Sequence, residues 1–377
     1  MSSTPSLVSW QTEHQTTQQA LWRSVSGTAP PSCIQLADDR LSADAAYKLV
    51  CEGTALLWQG DFHQAKQLLQ ALARRIDRKP AKPAATLTLA FHQHRQRQAQ
   101  RAKLLGMVLL PFEADHTIAL RRAPNAQAAC TEVWGPGTVP YVASLRGLQG
   151  WIGAHEWRKA GVEIAALNDR IHPHHGVFSP VRGEYIDLVN QAPLPADTTR
   201  AFDIGVGTGV LSAVLARRGL QQVVATDQDP RALACAKDNL SRLGCLPQVD
   251  LQQVDLFPAG LAPLIVCNPP WVPAKPSSPI EHAVYDEDSR MLRGFLSGVV
   301  AHLSDNGQAW LILSDLAEHL GLRSREQLLG WIAQAGLCVD HRMDTRPKHG
   351  KAQRSDDPLH AARSAEVTSL WCLKKAA

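Results

Sequence analysis

The chain has 377 residues, 45% hydrophobic and 20% charged, with a formal net charge of +4. That length favours two domains over one compact core, and the composition is that of a globular chain, not a disordered one. No apolar run approaches the ~18 residues of a membrane span, and the opening MSSTPSLVSW lacks the basic and apolar stretches of a secretory signal, so a cytoplasmic protein with no membrane contact is expected.

The eight cysteines, from Cys33 to Cys372, are scattered and form no C-x-x-C pair. This argues against a disulfide scaffold and a structural zinc site. Charge is uneven along the chain. Residues 1–165 hold 18 Lys/Arg against 12 Asp/Glu, and the remainder 21 against 23. Much of the excess lies in Ala71–Lys103, where Arg74, Arg75, Arg78, Lys79, Lys82, Arg95, Arg97, Arg101 and Lys103 face only Asp77. A basic first domain suits a nucleic-acid partner; a solvated helix face suits the same residues.

In chain order, Ala46, Leu49, Val50, Gly53, Leu56 and Leu57 fall at helical spacing within Ser42–Arg75, and a second amphipathic stretch runs from Ala65 to Ile76. Short β-like runs follow at Thr86–Phe91 and Leu104–Pro111, separated by the basic Gln/Arg segment. Trp134–Tyr141 reads as a loop, and the domain boundary is expected between Leu148 and Val162. Residues 1–160 are thus read as an N-terminal substrate-recognition domain, mainly helical or α+β, and residues 161–377 as a second domain.

From Asn190 the pattern alternates. Strands are expected at Ala201–Ile204, Gln222–Thr226, Leu251–Leu256, Leu264–Cys267, Gln308–Leu313, Leu337–Met343 and Val367–Leu373. Helices are expected at Val210–Arg218, Pro230–Leu243, Ser289–Leu303 and Arg323–Ala335. Such alternation implies an α/β fold with a mostly parallel sheet covered on both faces.

Four motifs punctuate this half. Phe202-Asp203-Ile204-Gly205-Val206-Gly207-Thr208-Gly209 places glycines at alternate positions after a strand, so that a ligand can lie against the backbone at a helix N-terminus. Asp203 can accept from a ligand amino group. A dinucleotide fingerprint would want its third glycine at Val210, and here it falls at 209. Val223-Val224-Ala225-Thr226-Asp227 ends a strand in an acid able to hold both hydroxyls of a ribose. Val254-Asp255-Leu256-Phe257 offers an acid for an adenine amino group. Leu264–Cys267 then leads into Asn268-Pro269-Pro270-Trp271. An amide-type or aniline-type nitrogen must pyramidalise before attacking a sulfonium methyl. The Asn268 side-chain oxygen and the Pro269 carbonyl can each accept one of its N–H groups. Pro269 and Pro270 stiffen the turn, and Trp271 offers a flat face to the substrate plane.

The order DIGVGTG, ATD, VDLF, NPPW resembles the class I S-adenosylmethionine-dependent methyltransferases of the small-domain type, from about Ile171 to the C-terminus. That family includes enzymes acting on exocyclic amines of adenine or guanine in ribosomal or transfer RNA, and others modifying a glutamine of peptide release factors. The resemblance implies a Rossmann-like seven-stranded sheet and S-adenosyl-L-methionine as cofactor. It implies that Asp203, Gly205, Gly207, Thr208 and Gly209 lie at the methionine portion, Asp227 at the ribose and Asp255 at the adenine. Asn268, at the cofactor's reactive end, acts with Pro269, Pro270 and Trp271 on the target amine; Trp271 stands where Tyr or Phe is commoner. The expected partner is an RNA substrate, with a protein glutamine as the alternative.

His172–Tyr185 resembles the segment that lids the cofactor in this family, with Arg182 and Glu184 as lid residues. Its three histidines in four residues lack a second cluster at ligand spacing, so no metal is expected. The insertion Asp344–Glu366 carries Arg346, Lys348, Lys351, Arg354 and Arg363 and is expected on the substrate side, either holding a polyanion or as a surface loop.

Overall fold

A computed structural model describes residues 6–12, 14–78, 83–181, 183–277, 279–347 and 357–376. Its contacts divide into two units, residues 1–83 with 92–156, and residues 84–91 with 157–377. Among the described residues no helix is long and apolar enough to cross a membrane.

The first unit is an α/β structure built on six strands: β1 (Leu7–Gln11), β2 (Thr17–Trp22), β3 (Cys33–Ala37), β4 (Thr54–Trp58), β5 (Val108–Phe112) and β6 (Tyr141–Ser144). Its helices are α1 (Ala43–Cys51), α2 (Phe62–Asp77), the later part of α3 (Leu87–Leu105), α4 (Gln127–Trp134) and most of α5 (Leu145–Ala160). The sheet order is β1-β2-β6-β5-β4-β3, with β3, β4 and β5 parallel and β6 antiparallel to β5. Leu56 and Leu57 are therefore strand residues, both buried, and point to opposite faces, where the sequence reading had put them on a helix. Two adjacent buried side chains suit a strand covered on both sides. The Thr86–Phe91 run is helical as well. Its T-L-T-L alternation mimics a strand, yet Thr86 caps Leu89 N at 3.2 Å and the helix continues through the Gln/Arg segment.

The second unit begins with β7 (Val162–Ile164) and β8 (Asp169–Ile171), followed by α6 (Glu184–Gln191). Then come β9 (Arg200–Ile204), α7 (Val210–Arg217), β10 (Gln222–Asp227), α8 (Pro230–Arg242), β11 (Val249–Gln253) and β12 (Ala262–Cys267). The chain closes with α9 (Arg290–His302), β13 (Leu303–Ser314), α10 (Leu316–His319), α11 (Arg325–Gln334), β14 (Leu337–Thr345), α12 (His360–Ala365) and β15 (Thr368–Lys375). Seven strands order as β11-β10-β9-β12-β13-β15-β14, and only β15 runs against the rest. This is the mostly parallel sheet expected.

Period-two alternation divides its core between two faces. Leu264, Val266, Trp310 and Ile312 pack on the face of α6, α7 and α8; Ile265, Cys267, Leu311 and Leu313 pack on that of α9 and α11. Residues 84–91 belong here too. Phe91 is buried with Val272, Leu320 and Leu359, and Thr88 Oγ1 donates to the Leu320 carbonyl at 2.7 Å.

Candidate functional site

Register alone assembles the centre of the site. Ile204 pairs with Thr226 on one side and Cys267 on the other, so the next residues, Gly205, Asp227 and Asn268, emerge side by side at the carboxyl edge. Connections from β9 and β12 leave in opposite directions here, the topological switch where open α/β sheets hold ligands. A cleft of about 980 Å³ opens at this edge.

The glycine turn divides its labour. Gly207 (φ 53°) lies on the cleft wall, and a Cβ built on it meets nothing within 4 Å. Gly205 and Thr208 line the same wall. Gly209 (φ 81°) faces the other way: a Cβ there meets Ala236 Cα and Cβ at 3.2 Å, so this glycine lets α7 pack on α8 and is absent from the cleft wall. Asp203 also differs from the expectation. Strand parity turns it toward α7, where its Oδ2 accepts from Ser212 Oγ at 2.6 Å, and it is 1% exposed. Burial pushes its carboxyl up to about 6; the Ser212 side chain and backbone oppose the rise, and the Asp227 charge adds to it. Asp203 therefore lies behind the turn, bonded to α7, and is not part of the cleft wall.

Asp227, the last residue of β10, is on the cleft wall. Its Oδ2 accepts from Gly207 N at 3.2 Å and its Oδ1 from Asp229 N at 2.9 Å, which leaves lone pairs on both oxygens toward the cleft. Burial raises its pKa, against the backbone hydrogen bonds. β11 stops at Gln253, so Asp255 sits in the following loop rather than at a strand end. It is exposed on the cleft rim, 3.8 Å from Arg290.

Asn268, Pro269, Pro270 and Trp271 all line the cleft. Trp271 Nε1 donates to Asn268 Oδ1 at 2.8 Å. The indole ring stands edge-on to Tyr185, at 90° and 6.4 Å between centroids, and packs against the apolar clusters on both sheet faces. Burial, and then the Asp203 charge, lifts the Tyr185 hydroxyl above the usual phenol range, while a hydrogen bond with the Asn268 side chain pulls it back.

Several residues the motifs did not single out complete the site. Asn239 on α8 is 1% exposed. Its Oδ1 accepts from His172 N at 2.8 Å, and the two hydrogens of its Nδ2 are shared among three carbonyls, those of His172 and Thr208 at 3.2 Å and that of Cys235 at 3.1 Å. It joins the 172–178 segment to the glycine turn. Nothing in sequence separates it from a surface asparagine except its place one α-helical turn past Cys235 on the apolar stripe. Phe91 and Tyr285 meet at 6.4 Å on the cleft wall beyond Trp271, with Leu316, Leu320 and Leu359 around them.

His172 Nδ1 meets the Arg158 carbonyl at 2.6 Å and His174 pairs with Asp238 at 2.9 Å, so two of the three histidines brace the segment. Among the described residues no group of three His, Cys, Asp or Glu could hold a metal. Of the lid residues, Glu184 opens α6 and Arg182 lies outside the described residues, as do Lys79, Lys82, Lys348, Lys351 and Arg354. In the C-terminal insertion, Leu359, Arg363 and the buried Glu366 reach the cleft wall; Arg363 pairs with Asp357 and Glu366 accepts from Ser314 Oγ at 2.7 Å.

Residues 168–328 match the family model described as "Methyltransferase small domain". Over those residues the resemblance to class I S-adenosylmethionine-dependent methyltransferases read from the motifs holds. The chain is similar to a release factor glutamine methyltransferase of Cereibacter sphaeroides, 27% identical over 39% of this chain and 56% of that protein. It is also similar to a tRNA1(Val) (adenine(37)-N6)-methyltransferase of a Shewanella species, 29% identical over 36% of this chain and 60% of that protein. A solved methyltransferase structure from Pyrococcus furiosus is 18% identical, covers 59% of this chain and 98% of its own, and aligns with a TM-score of 0.40. The chain thus spans less than two thirds of the length of each of these two relatives.

Proposed function

We propose that this chain is an S-adenosylmethionine-dependent N-methyltransferase whose acceptor is an exocyclic amine of a nucleobase in RNA. The observation that carries this reading is the convergence of Gly207, Asp227, Asp255 and the Asn268–Trp271 turn on one cleft at the switch point of the sheet. The residues fit the cofactor. Open space lies over Gly207, the Asp227 oxygens have lone pairs for the two ribose hydroxyls, and Asp255 is on the rim for the adenine amino group.

When bound, S-adenosylmethionine supplies an electrophilic methyl on a sulfonium. The chain supplies positioning. Asn268 Oδ1 and the Pro269 carbonyl accept the two N–H groups of the acceptor amine, which frees its lone pair from conjugation and aims it. No strong base is needed, because the amine proton becomes acidic as the nitrogen is alkylated. Trp271, Tyr285 and Phe91 give the acceptor end an aromatic wall suited to a flat base taken out of its stack. The basic excess of residues 1–165 supports a polyanionic acceptor; within it Arg75 pairs with Asp44 and Arg101 with Asp77.

The tRNA adenine relative supports the nucleobase reading, and the release-factor relative supports a glutamine side chain as the second. The test is to incubate the chain with methyl-labelled S-adenosylmethionine and an extract of cells lacking the gene. Label released by ribonuclease is expected; label released only by protease means the glutamine reading, and no incorporated label rejects both.

A further inference from the structure

We infer that Trp271 is a positioning residue, whose indole N–H determines which end of the Asn268 amide faces the acceptor amine. This rests on the methyltransferase reading above and concerns the same cleft.

The two ends of an asparagine amide are nearly alike in shape and opposite in chemistry, since Oδ1 only accepts and Nδ2 only donates. With Oδ1 toward the acceptor amine, the amide takes an N–H and frees the nitrogen lone pair. With Nδ2 there, N–H faces N–H, and the amide donates to the lone pair that must attack. A clamp built on asparagine therefore needs something to select the rotamer, and nothing within Asn268 does so.

Two side chains bear on this amide. The Tyr185 hydroxyl, which the Asn268 side chain influences, is one, and a hydroxyl both donates and accepts, so it suits either orientation. The indole of Trp271 is the other, and its Nε1–H donates only. At 2.8 Å it meets Oδ1, and a flipped amide would set Nδ2–H against it. Only the tryptophan discriminates. One lone pair of Oδ1 remains for the amine. The indole itself has little freedom. It stands perpendicular to Tyr185, is wedged against apolar clusters on both sheet faces, and follows two consecutive prolines. A phenylalanine here would keep most of the packing and lose the selection; a tyrosine would bring a head group as ambivalent as that of Tyr185.

The test uses the full chain with Trp271→Phe, Asn268→Ala, Asn268→Asp and the Trp271→Phe/Asn268→Asp pair. In protein labelled with 15N-tryptophan, the Trp271 indole resonance is assigned by its loss in Trp271→Phe. Asn268→Ala is expected to move that resonance upfield and speed its solvent exchange about tenfold, the loss of one hydrogen bond. With methyl-labelled S-adenosylmethionine and bulk RNA as acceptor, Trp271→Phe is expected to lower kcat at least about tenfold while KM and cofactor Kd stay within about twofold. An aspartate has equivalent oxygens and needs no selection, so in the Asn268→Asp background the same change should alter kcat by less than about twofold. An indole resonance unmoved by Asn268→Ala overturns the inference, as does an equal loss from Trp271→Phe in both backgrounds, which would leave Trp271 a packing residue only. If the unaltered chain labels no RNA, the acceptor reading fails and the indole resonance still decides this one.

Discussion

Replacing Asp203 with asparagine should change how stability responds to pH by an amount the structure sets. Asp203 is wholly buried behind the glycine turn, and burial lifts its carboxyl from an ordinary 3.8 to about 6. The native chain then holds that proton more tightly than the unfolded chain does between roughly pH 4 and 6. For an acid so raised, the stabilising contribution is fully present below about pH 4 and lost as pH rises through about 6. The rise corresponds to about 3 kcal/mol, a sizeable part of the ~5–15 kcal/mol of a typical domain. Asparagine keeps an acceptor for Ser212 Oγ and does not titrate. Its Nδ2 gains no designed partner, a penalty that is the same at every pH. The readout is therefore the slope and not the offset. By calorimetry, the melting temperature of Asp203→Asn relative to the parent should climb by about 6–12 °C between pH 4 and pH 7.5. Asp227 is raised in the same direction in both chains and largely cancels. A difference between the two chains that is constant across this range would refute the account of Asp203 as a buried acid.

Other substitutions separate the remaining roles. Asp227→Ala removes acceptors for two ribose hydroxyls and the anchor of Gly207 N; at about 1.5 kcal/mol or more per charge-assisted bond, affinity for S-adenosylmethionine should fall about 100-fold by isothermal titration, and unchanged affinity would put the ribose elsewhere. Gly207→Ala should fold with about 1 kcal/mol of backbone strain yet bind the cofactor poorly, because its methyl enters the open cleft. Gly209→Ala should instead destabilise by about 1–3 kcal/mol, as the methyl meets Ala236 at 3.2 Å. Denaturant unfolding alongside cofactor titration tells the two apart, and an exchange of phenotypes would contradict the division. Asn239→Ala takes the acceptor from His172 N and the amide donor from the Thr208 carbonyl, leaves the His172 carbonyl with the weak Cys235 thiol, and should lower stability by about 3 kcal/mol, with faster proteolysis around 172–178; a loss below about 1 kcal/mol would remove it as the link between them.

The second unit was legible because its strands and its glycine turn obey local rules. Leu264–Cys267 is apolar at every position, as a strand covered on both faces must be. The turn from Gly205 to Gly209 and the acid of Asp227 each carry their chemistry within a few residues. What escaped depends on parity and distance. Asp203 reads as one more acid at the cleft until alternation along β9 sends it to the α7 face beside Ala201, away from Phe202 and Ile204. Asn239 acts on residues 31 and 67 positions away, which no local pattern announces. In the first unit, helical and strand periods compete over short apolar runs. Gly53, with φ 92°, ends α1 and lets Leu56 and Leu57 start afresh as a strand, whereas the spacing alone carried the helix through them.

Residues 84–91 have a consequence for how the chain is made. Thr88 donates to a carbonyl 232 residues later, and Phe91 fills a hollow formed by Val272, Leu320 and Leu359. During synthesis these eight residues leave the ribosome long before the groups they join, so the second unit acquires its full apolar cluster only after Leu359 has been made. A gene fragment starting at residue 161 would encode every strand of the seven-stranded sheet and still lack Phe91 on the cleft wall. The missing aromatic leaves a void comparable to a Phe-to-Ala change, about 3–5 kcal/mol. The recombinant unit that preserves this cleft is discontinuous in the gene, and a faithful excision must carry 84–91 with it, for example as a tethered peptide or a circular permutant.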